Sequence, residues 1–173
     1  MNLSYISGFF DADGSISLLS IHRNEHKSIQ VSFCNNQLEL LEEIEGFLET
    51  SLQIKGSISK KKARKPGHSD NFELKYTRNA ALMLIEHLDS HHPKKKYRID
   101  VALRYYQEVT VRNGKYSETD LVRKEAFNRL FYWNGKTRIK AELGSVFLNR
   151  QPPITQSPNP PINQQAPHQP YGS

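Results

Sequence analysis

The chain has 173 residues, 36% of them hydrophobic, which is enough for one domain with a buried core. Twenty-four lysines and arginines against 18 acids give a formal net charge of +6, which favours nucleic acid as a partner, with an anionic membrane surface second. The sequence holds no apolar run that could span a bilayer, no secretory leader and one cysteine, Cys34. We therefore expect a soluble, unexported protein of an organelle, prokaryote or phage, without membrane insertion, a disulfide or a Cys-rich zinc site.

The hydrophobic pattern predicts helices that alternate with pairs of strands. Apolar residues recur at every second position in the strand segments and at helical spacing in the others. Ser117 and Asp120 have the spacing of a capping box and open the last helix. In chain order the predicted elements are a helix at 4–13, strands at 15–21 and 28–33, a helix at 38–52, strands at 54–62 and 72–77, and helices at 79–88, 95–111 and 117–133.

Hairpins and helices are segregated in this order, so we expect an α+β domain over 1–150 with an antiparallel sheet. The remaining segment, 151–173, holds seven of the nine prolines and no Lys, Arg, Asp or Glu. Such a composition cannot build a packed element, and we expect a disordered tail rich in proline and glutamine. A proline-rich ligand for an aromatic groove is the alternative interpretation.

The most informative stretch is 6–14, Ile-Ser-Gly-Phe-Phe-Asp-Ala-Asp-Gly. It places Asp11 and Asp13 at the C-terminal end of the first predicted helix, where the helix dipole disfavours negative charge. Carboxylates beside backbone carbonyls that lack helical partners suit a hard divalent cation such as Mg²⁺. The last four residues alone are also typical of a simple turn. The longer context is what favours a metal site.

This stretch resembles the LAGLIDADG motif of homing endonucleases, with Gly8, Asp11, Asp13 and Gly14 at matching positions. The predicted order of elements also resembles the αββαββα plan of that family, followed by C-terminal helices, so the resemblance spans 2–149. A second copy of the motif is not found in the sequence. The resemblance implies a homodimeric enzyme of intron homing, which hydrolyses phosphodiester bonds in both strands of a long, partly palindromic DNA site with the help of a divalent metal.

The resemblance also implies roles for residues of the motif. It assigns Asp13 as the catalytic metal ligand, with the Ala12 carbonyl beside it, and leaves Asp11 as a structural residue of the helix end. The metal would be Mg²⁺, or another divalent cation such as Mn²⁺ or Ca²⁺. Ser7 and Gly8 lack bulk, and they would let two motif helices pack closely at the dimer interface.

Phosphodiester hydrolysis also needs charge stabilisation and an activated water. Members of the family carry a basic residue before the long fourth helix, for which Lys95 is the best match and Lys96 the rival. Lysines at a helix start oppose the dipole, which favours a phosphate-facing role over a merely solvated cluster. The family's polar residue after the second strand is assigned to Asn35, although Asn35 or Gln37 could equally cap the following helix.

Alternation along the strands separates a face that packs on helices from a face that is free to meet DNA. In the family this second face lies in the major groove, where all four base pairs present different donors and acceptors. An ordinary solvated sheet face is the alternative. The predicted DNA-binding residues are Ser17, Leu19, Ile21, Arg23, Ser28, Gln30, Ser32, Ser57, Ser59, Lys61, Glu73 and Lys75.

Two other functions fit the same scaffold. One is an intron-encoded maturase that binds RNA, and the other is a catalytically inactive DNA-binding regulator. Asp13 is intact, which favours the nuclease over both. A rigid strand face also suits the grooves of duplex DNA better than the single-stranded regions through which RNA is usually recognised.

Overall fold

The computed structural model of the chain describes residues 1–20, 26–62, 70–111, 115–133 and 147. In chain order these residues form α1 (Leu3–Asp13), β1 (Gly14–Leu19), β2 (Ser28–Asn35), α2 (Leu38–Leu52), β3 (Ser57–Lys61), β4 (Asn71–Thr77), α3 (Arg78–Ile85), α4 (Pro93–Tyr105) and α5 (Glu118–Phe131). The predicted DNA contacts Ile21 and Arg23 and the predicted tail at 151–173 lie outside the described residues.

The four strands form one antiparallel sheet in the order β1-β2-β4-β3. β1 pairs with β2 and β3 pairs with β4, as the two predicted hairpins require, and β2 and β4 join the hairpins at the centre. Val31 shows the register, because it lies opposite Ile16 on one side and Tyr76 on the other. The predicted α+β fold with an antiparallel sheet and additional C-terminal helices is therefore confirmed.

One face of the sheet is covered by helices and forms the core. Ile16, Val31 and Leu74 are buried there, together with Phe10 of α1 and Leu41 of α2. Removing such apolar surface from water stabilises the fold by roughly 25 cal/mol per Å². Strand alternation sends the residues between these positions to the opposite side of the sheet.

The boundary between α2 and β3 differs from the prediction. α2 has the predicted bounds, but the chain continues into a cap in which Gln53 adopts a φ of 57°. The Ile54 amide donates to the Leu48 carbonyl at 3.3 Å in this cap, and the Ile54 side chain is buried. Ile54 thus belongs to the helix end, and β3 begins at Ser57 instead of at residue 54.

Three helices are shorter than predicted. α3 ends at Ile85, α4 at Tyr105 and α5 at Phe131, before the expected ends at residues 88, 111 and 133. Leu88, Tyr106 and Val109, which suggested longer helices, are nonetheless buried. These apolar residues cover the core from turns that follow the helices.

α5 begins at the capping box that the sequence predicts. The Ser117 hydroxyl accepts from the Asp120 amide at 3.2 Å, and the Asp120 carboxylate accepts from the Ser117 amide at 3.2 Å. None of the helices in the described part of the chain is long and apolar enough to cross a membrane.

α4 and the residue after α5 support the outer edge of β1. The Tyr132 hydroxyl accepts from the Leu18 amide at 2.8 Å and donates to the Leu18 carbonyl at 3.3 Å. The Arg98 guanidinium donates to the Ile16 carbonyl at 3.1 Å and lies over the Tyr132 ring. β1 is an edge strand, and these side chains satisfy polar groups that no neighbouring strand reaches.

Candidate active site and nucleic-acid interface

The end of α1 is fixed by a close contact between Phe10 and Gly14. The Gly14 amide donates to the Phe10 carbonyl, and a Cβ on Gly14 would lie 2.4 Å from the Phe10 ring and 2.7 Å from the Phe10 carbonyl oxygen. The φ of Gly14 is −80°, which any residue adopts. Glycine is therefore needed at this position for its small size and not for backbone flexibility.

Asp11 links the end of α1 to the loop that precedes α4. Its carboxylate accepts from the Ser90 hydroxyl at 2.5 Å and from the His91 amide at 2.7 Å. Burial by itself raises the Asp11 pKa, but these hydrogen bonds outweigh it and hold the pKa below its usual value. Both carboxylate oxygens are engaged within the chain, which fits the structural role assigned to Asp11.

Lys95 reaches the C-terminal carbonyls of α1. Its ammonium donates to the Phe10 carbonyl at 2.6 Å and to the Asp11 carbonyl at 2.9 Å, and it lies 5.1 Å from the centre of the Phe10 ring. Burial lowers the Lys95 pKa, and the charges of Asp11 and Asp13 oppose part of that shift. Lys96 is exposed. Of the two rival lysines, Lys95 is the one that contacts the motif helix.

Ala12 and Asp13 are both exposed at this helix end. Asp13 lies near enough to Lys95 and to Cys34 to affect the pKa of each. A carboxylate beside backbone carbonyls offers the oxygen donors that hard divalent cations prefer. However, no group of three potential ligand side chains comes together anywhere in the described residues.

Asn35 closes the turn between β2 and α2. Its side-chain oxygen accepts from the Gln37 amide at 2.9 Å, and Gln37 makes no side-chain cap of its own. Asn35 is two residues beyond the buried Phe33 in β2, so strand alternation places both on the helix-covered side of the sheet. The structure therefore gives Asn35 the local turn role that the sequence left open, and its part in catalysis remains a prediction.

Ser7 and Gly8 lie on different sides of α1. The Ser7 hydroxyl accepts from the Asp89 amide at 3.1 Å, and the side chain is only 6% exposed. Gly8 is exposed, and a Cβ there would meet nothing within 4 Å. Adjacent helical residues point about 100° apart. Ser7 thus faces its own chain, and of the two predicted interface residues Gly8 is the one exposed to a partner helix; the interface itself remains a prediction.

The open face of the sheet, meaning the side away from the covering helices, is mainly polar. Ser15, Cys34 and Thr77 share it but were not predicted, although the same alternation extended along the strands would have found them. Strand register brings together on this face the predicted residues Ser17, Leu19, Ser28, Gln30, Ser32, Ser57, Ser59, Lys61, Glu73 and Lys75.

Two predicted DNA contacts are buried within the open face. Ser32 is 3% exposed and its hydroxyl lies 2.9 Å from that of Ser15. Glu73 is 6% exposed, and one of its oxygens, Oε2, lies 2.6 Å from the Lys61 ammonium and 3.1 Å from the Lys75 ammonium. Burial alone raises the Glu73 pKa, but the two lysines outweigh it and hold the pKa below its usual value. Glu73 is therefore a buried carboxylate paired with two lysines, of which Lys61 is exposed.

The order of elements, the acidic end of α1 and the open sheet face define a protein with the fold of homing endonucleases. The chain belongs to the LAGLIDADG family, because the model of a LAGLIDADG-like domain matches residues 1–88. This match contains α1 and the whole sheet. Lys95 and the two C-terminal helices lie beyond it.

Solved structures of this family are similar in fold. The meganuclease I-AabMI bound to uncleaved DNA shares 14% identity at a TM-score of 0.50, over 84% of this chain and 50% of the other. The homing endonuclease I-GzeII in complex with its DNA target shares 18% identity at a TM-score of 0.50, over 97% of this chain and 55% of the other. The chain thus spans about half the length of the structures it matches. A search of curated proteins finds no match.

Proposed function

We propose that this chain is a divalent-metal-dependent endonuclease that cuts both strands of a long, partly palindromic DNA site as a homodimer. The observation that carries the proposal is that exposed Asp13 and half-buried Lys95 lie near one another at the end of the family's motif helix, where Lys95 donates to the Asp11 carbonyl. I-AabMI and I-GzeII, which share the fold, are bound to DNA. The basic charge of +6 supports a DNA partner as well.

The donor set at the end of α1 supports a hard cation such as Mg²⁺, with Mn²⁺ or Ca²⁺ as substitutes. The Asp13 carboxylate and the Ala12 carbonyl would hold it. When bound, such an ion polarises a phosphoryl oxygen and lowers the pKa of bound water. Asp11 and Gly14 keep these groups in place, through the Ser90 hydrogen bond and the close contact with Phe10.

Lys95 supplies a fixed positive charge beside Asp13. Two of the three N–H donors of its ammonium are directed to the Phe10 and Asp11 carbonyls. The third can donate to a phosphate oxygen, where charge builds up as the P–O bond breaks. The Lys95 side chain is half-buried and its ammonium is held by the two carbonyls. Little reorganisation of this side chain is therefore needed before the third N–H donates.

Homodimer formation is proposed because the sequence holds a single copy of the motif, whereas a cut in both strands calls for two. Tyr5, Gly8 and Ala12 are exposed at helical spacing along α1 and form a stripe that a second α1 can cover. Gly8 permits close approach of two helices about a two-fold axis. A Gly8→Leu variant is expected to lose dimer, DNA binding and cleavage together, and light scattering of wild type and variant measures the first loss directly.

Cleavage of plasmid libraries with random inserts tests the nuclease. Wild type with Mg²⁺ is expected to linearise a subset of plasmids and to lose this activity in EDTA. Asp13→Asn should abolish cleavage and keep DNA binding, because the amide lacks the charge that holds the metal. Asp100→Asn, an exposed acid on α4, is the matched control and should still cut. Cleavage by pure Asp13→Asn, or by a wild-type protein that stays monomeric on its DNA, would contradict the proposal.

The polar open face favours duplex DNA over the maturase alternative. A wild type that binds intron RNA at nanomolar concentration but cuts no plasmid would support the maturase. Sequence-specific DNA binding without cleavage in any divalent metal would support the inactive regulator. The same protein preparation can be used for all three measurements.

A further inference from the structure

Three consecutive residues of the segment between α3 and α4 donate hydrogen bonds to one face of α1. They are Asp89, Ser90 and His91. We infer that Ser7 and Ser90 are positioning residues that fix the start of α4 and with it the ammonium of Lys95. The inference rests on the proposed DNA-cleaving function and adds these two serines to it. Both are buried, so they would act on cleavage through Lys95 and not by contact with DNA.

The hydrogen bonds reach two successive turns of α1. The Ser7 hydroxyl accepts from the Asp89 amide at 3.1 Å. One turn further along, the Asp11 carboxylate accepts from the Ser90 hydroxyl at 2.5 Å and from the His91 amide at 2.7 Å. Helical residues four positions apart lie on the same face, and hydrogen bonds to a carboxylate are stronger than those between neutral groups. The segment is therefore held against rotation as well as against displacement.

Lys95 is attached to the same turn of α1 as this segment. Its ammonium donates to the Phe10 and Asp11 carbonyls. Asp11 thus binds the segment through its side chain and Lys95 through its main chain, and only residues 92–94 separate His91 from Lys95. A displacement of the segment passes to Lys95 over this short length of chain, and catalysis tolerates little displacement of such a group.

The start of α4 lacks a cap of its own within the described part of the chain. The N-cap residue, His92, makes no side-chain hydrogen bond to the helix, and the first turn contains no acid. The lysines at 94–96 oppose the helix dipole there. Tyr97 and Arg98 join α4 to α5 and β1, not to α1. The contacts of the 89–91 segment are therefore what places the first turn of α4 against the motif helix, together with Lys95 itself.

Single-turnover cleavage and DNA affinity test the inference, with Ser90→Ala and Ser7→Ala each made in wild type and in Lys95→Ala. Ser90→Ala should cleave about tenfold more slowly and change DNA affinity less than about twofold, because it displaces a group needed in the transition state. In Lys95→Ala, where no ammonium is left to position, it should slow cleavage by less than about a further twofold. Ser7→Ala should show the same pattern with a smaller effect, roughly threefold, since it removes one hydrogen bond to a neutral acceptor.

Hydrogen exchange supplies a second readout that requires no cleavage. The Lys95 and Lys96 amides both donate to the His92 carbonyl at 2.9 Å, so they report on the first turn of α4. In Ser90→Ala and in Ser7→Ala these two amides should exchange at least about tenfold faster than in wild type, because the turn opens more often when it is no longer held on α1.

Ser117→Ala is the matched control. The Ser117 hydroxyl accepts from the Asp120 amide at the start of α5, so the variant also loses one serine hydrogen bond. It should lower the melting temperature as the other serine variants do, but leave the cleavage rate and the exchange of the first turn of α4 unchanged. Thermal melting of each variant, measured first, identifies one that fails to fold, and the other of Ser7→Ala and Ser90→Ala then decides the result.

The outcomes separate the inference from the function on which it rests. If wild type cuts but both serine variants cut equally fast, or if they slow cleavage as much in Lys95→Ala as in wild type, the inference is wrong and the nuclease proposal stands. If wild type cuts no plasmid, the proposed function is wrong, and unchanged exchange of the Lys95 and Lys96 amides would then also overturn the inference. Slower cleavage only where Lys95 is present, with faster exchange at the start of α4, supports it.

Discussion

The two outer edges of the sheet are built in different ways. At the β1 edge, Tyr132 and Arg98 satisfy the backbone of Leu18 and Ile16 from the C-terminal helices. At the β3 edge, Ser57–Lys61 is largely exposed, and no hydrogen bond from a helix reaches it within the described part of the chain. One edge is thus held by packed side chains, and the other carries lysines into solvent.

This difference corresponds to two tasks. β1 follows directly from the motif helix, so its position sets that of Asp13, and catalysis tolerates little displacement of such a group. Under the proposed function β3 would contribute side chains for DNA recognition, and long lysines can adjust to a DNA backbone that they contact mainly by charge. Substitutions at the supported edge should therefore affect stability and cleavage, and those at the β3 edge mainly binding.

The largest effect is expected from Phe131→Ala. Phe131 is fully buried, and its ring lies 5.6 Å from the Arg98 guanidinium and 5.1 Å from the Tyr132 ring. Removing it leaves a cavity under both groups that hold β1, at a cost of about 3–5 kcal/mol in unfolding free energy. Urea unfolding measures this. Ser59→Ala on β3 is the comparison and should change stability by less than about 0.5 kcal/mol. Similar losses in both variants would remove the distinction between the edges.

Next in size is the loss of cleavage in Lys95→Ala. The variant lacks the fixed charge beside Asp13, and single-turnover cleavage should slow roughly a hundredfold, equivalent to about 2.7 kcal/mol of barrier. DNA affinity should fall much less. Lys96→Ala is the matched control, because it removes the neighbouring, exposed lysine, and it should cut at nearly the wild-type rate. If Lys96→Ala slows cleavage and Lys95→Ala does not, the catalytic lysine is Lys96.

Lys124 should make stability depend on pH. It is 3% exposed, donates to the Thr110 hydroxyl at 3.1 Å and lies between the rings of Tyr106 and Phe127, and burial lowers its pKa to about 8. The unfolded chain, with a lysine pKa near 10.5, binds more protons between these values, so stability should rise as the pH increases from about 8 to about 10.5.

The variant Lys124→Met isolates this effect. It removes the buried charge at similar volume and should raise the unfolding free energy at pH 7 by about 2 kcal/mol. It should also flatten the pH dependence of the melting temperature above pH 8. A wild-type melting temperature that stays constant or falls between pH 8 and 10 would show that Lys124 carries no such penalty. Lys115→Met, an exposed lysine, is the control.

The smallest effect is expected from Tyr132→Phe. The hydroxyl makes two hydrogen bonds to Leu18, so its loss leaves a strand amide and carbonyl with weaker partners and should cost about 1 kcal/mol. Tyr105→Phe removes the hydroxyl of the last tyrosine of α4, is the control and should be nearly neutral. Thermal melting of both proteins measures these effects. Because Tyr132→Phe keeps the aromatic ring, the measured loss reports how much the hydroxyl's hydrogen bonds alone stabilise the β1 edge.

Much of the fold follows from local patterns that the sequence displays openly. The bounds of α2 match because leucines recur at helical spacing between a polar start and Gln53. The Ser117 and Asp120 capping box fixes the start of α5. The predicted element bounds are wrong where an apolar residue packs into the core from outside the helix or strand that its position in the pattern suggests. Ile54 extends the strand pattern in sequence, yet it packs as part of the α2 cap.

The candidate site was predictable only in part. The nine-residue motif predicts a role for Asp13, and the helix dipole favours a functional role for the lysine cluster, within which only the resemblance selects Lys95. The hydrogen bonds from Ser90 to Asp11 and from Tyr132 to Leu18 join residues 79 and 114 positions apart. No periodicity within a segment reports such pairings, because they depend on how α4 and α5 fold back onto the sheet. For Ser7, the small size of the residue does not indicate which side of α1 it occupies.

The lysines of β3 bear on how the protein behaves in concentrated solution. An uncovered edge strand offers its backbone to the edge of any other strand, which is a common route to aggregation. Lys60 and Lys61 on β3 and Lys62 just after it oppose this by mutual repulsion between copies. Salt screens that repulsion over about 8 Å at physiological strength and over less at higher strength. High salt should therefore both release DNA and reduce solubility, so purification is best finished in low salt or with DNA bound.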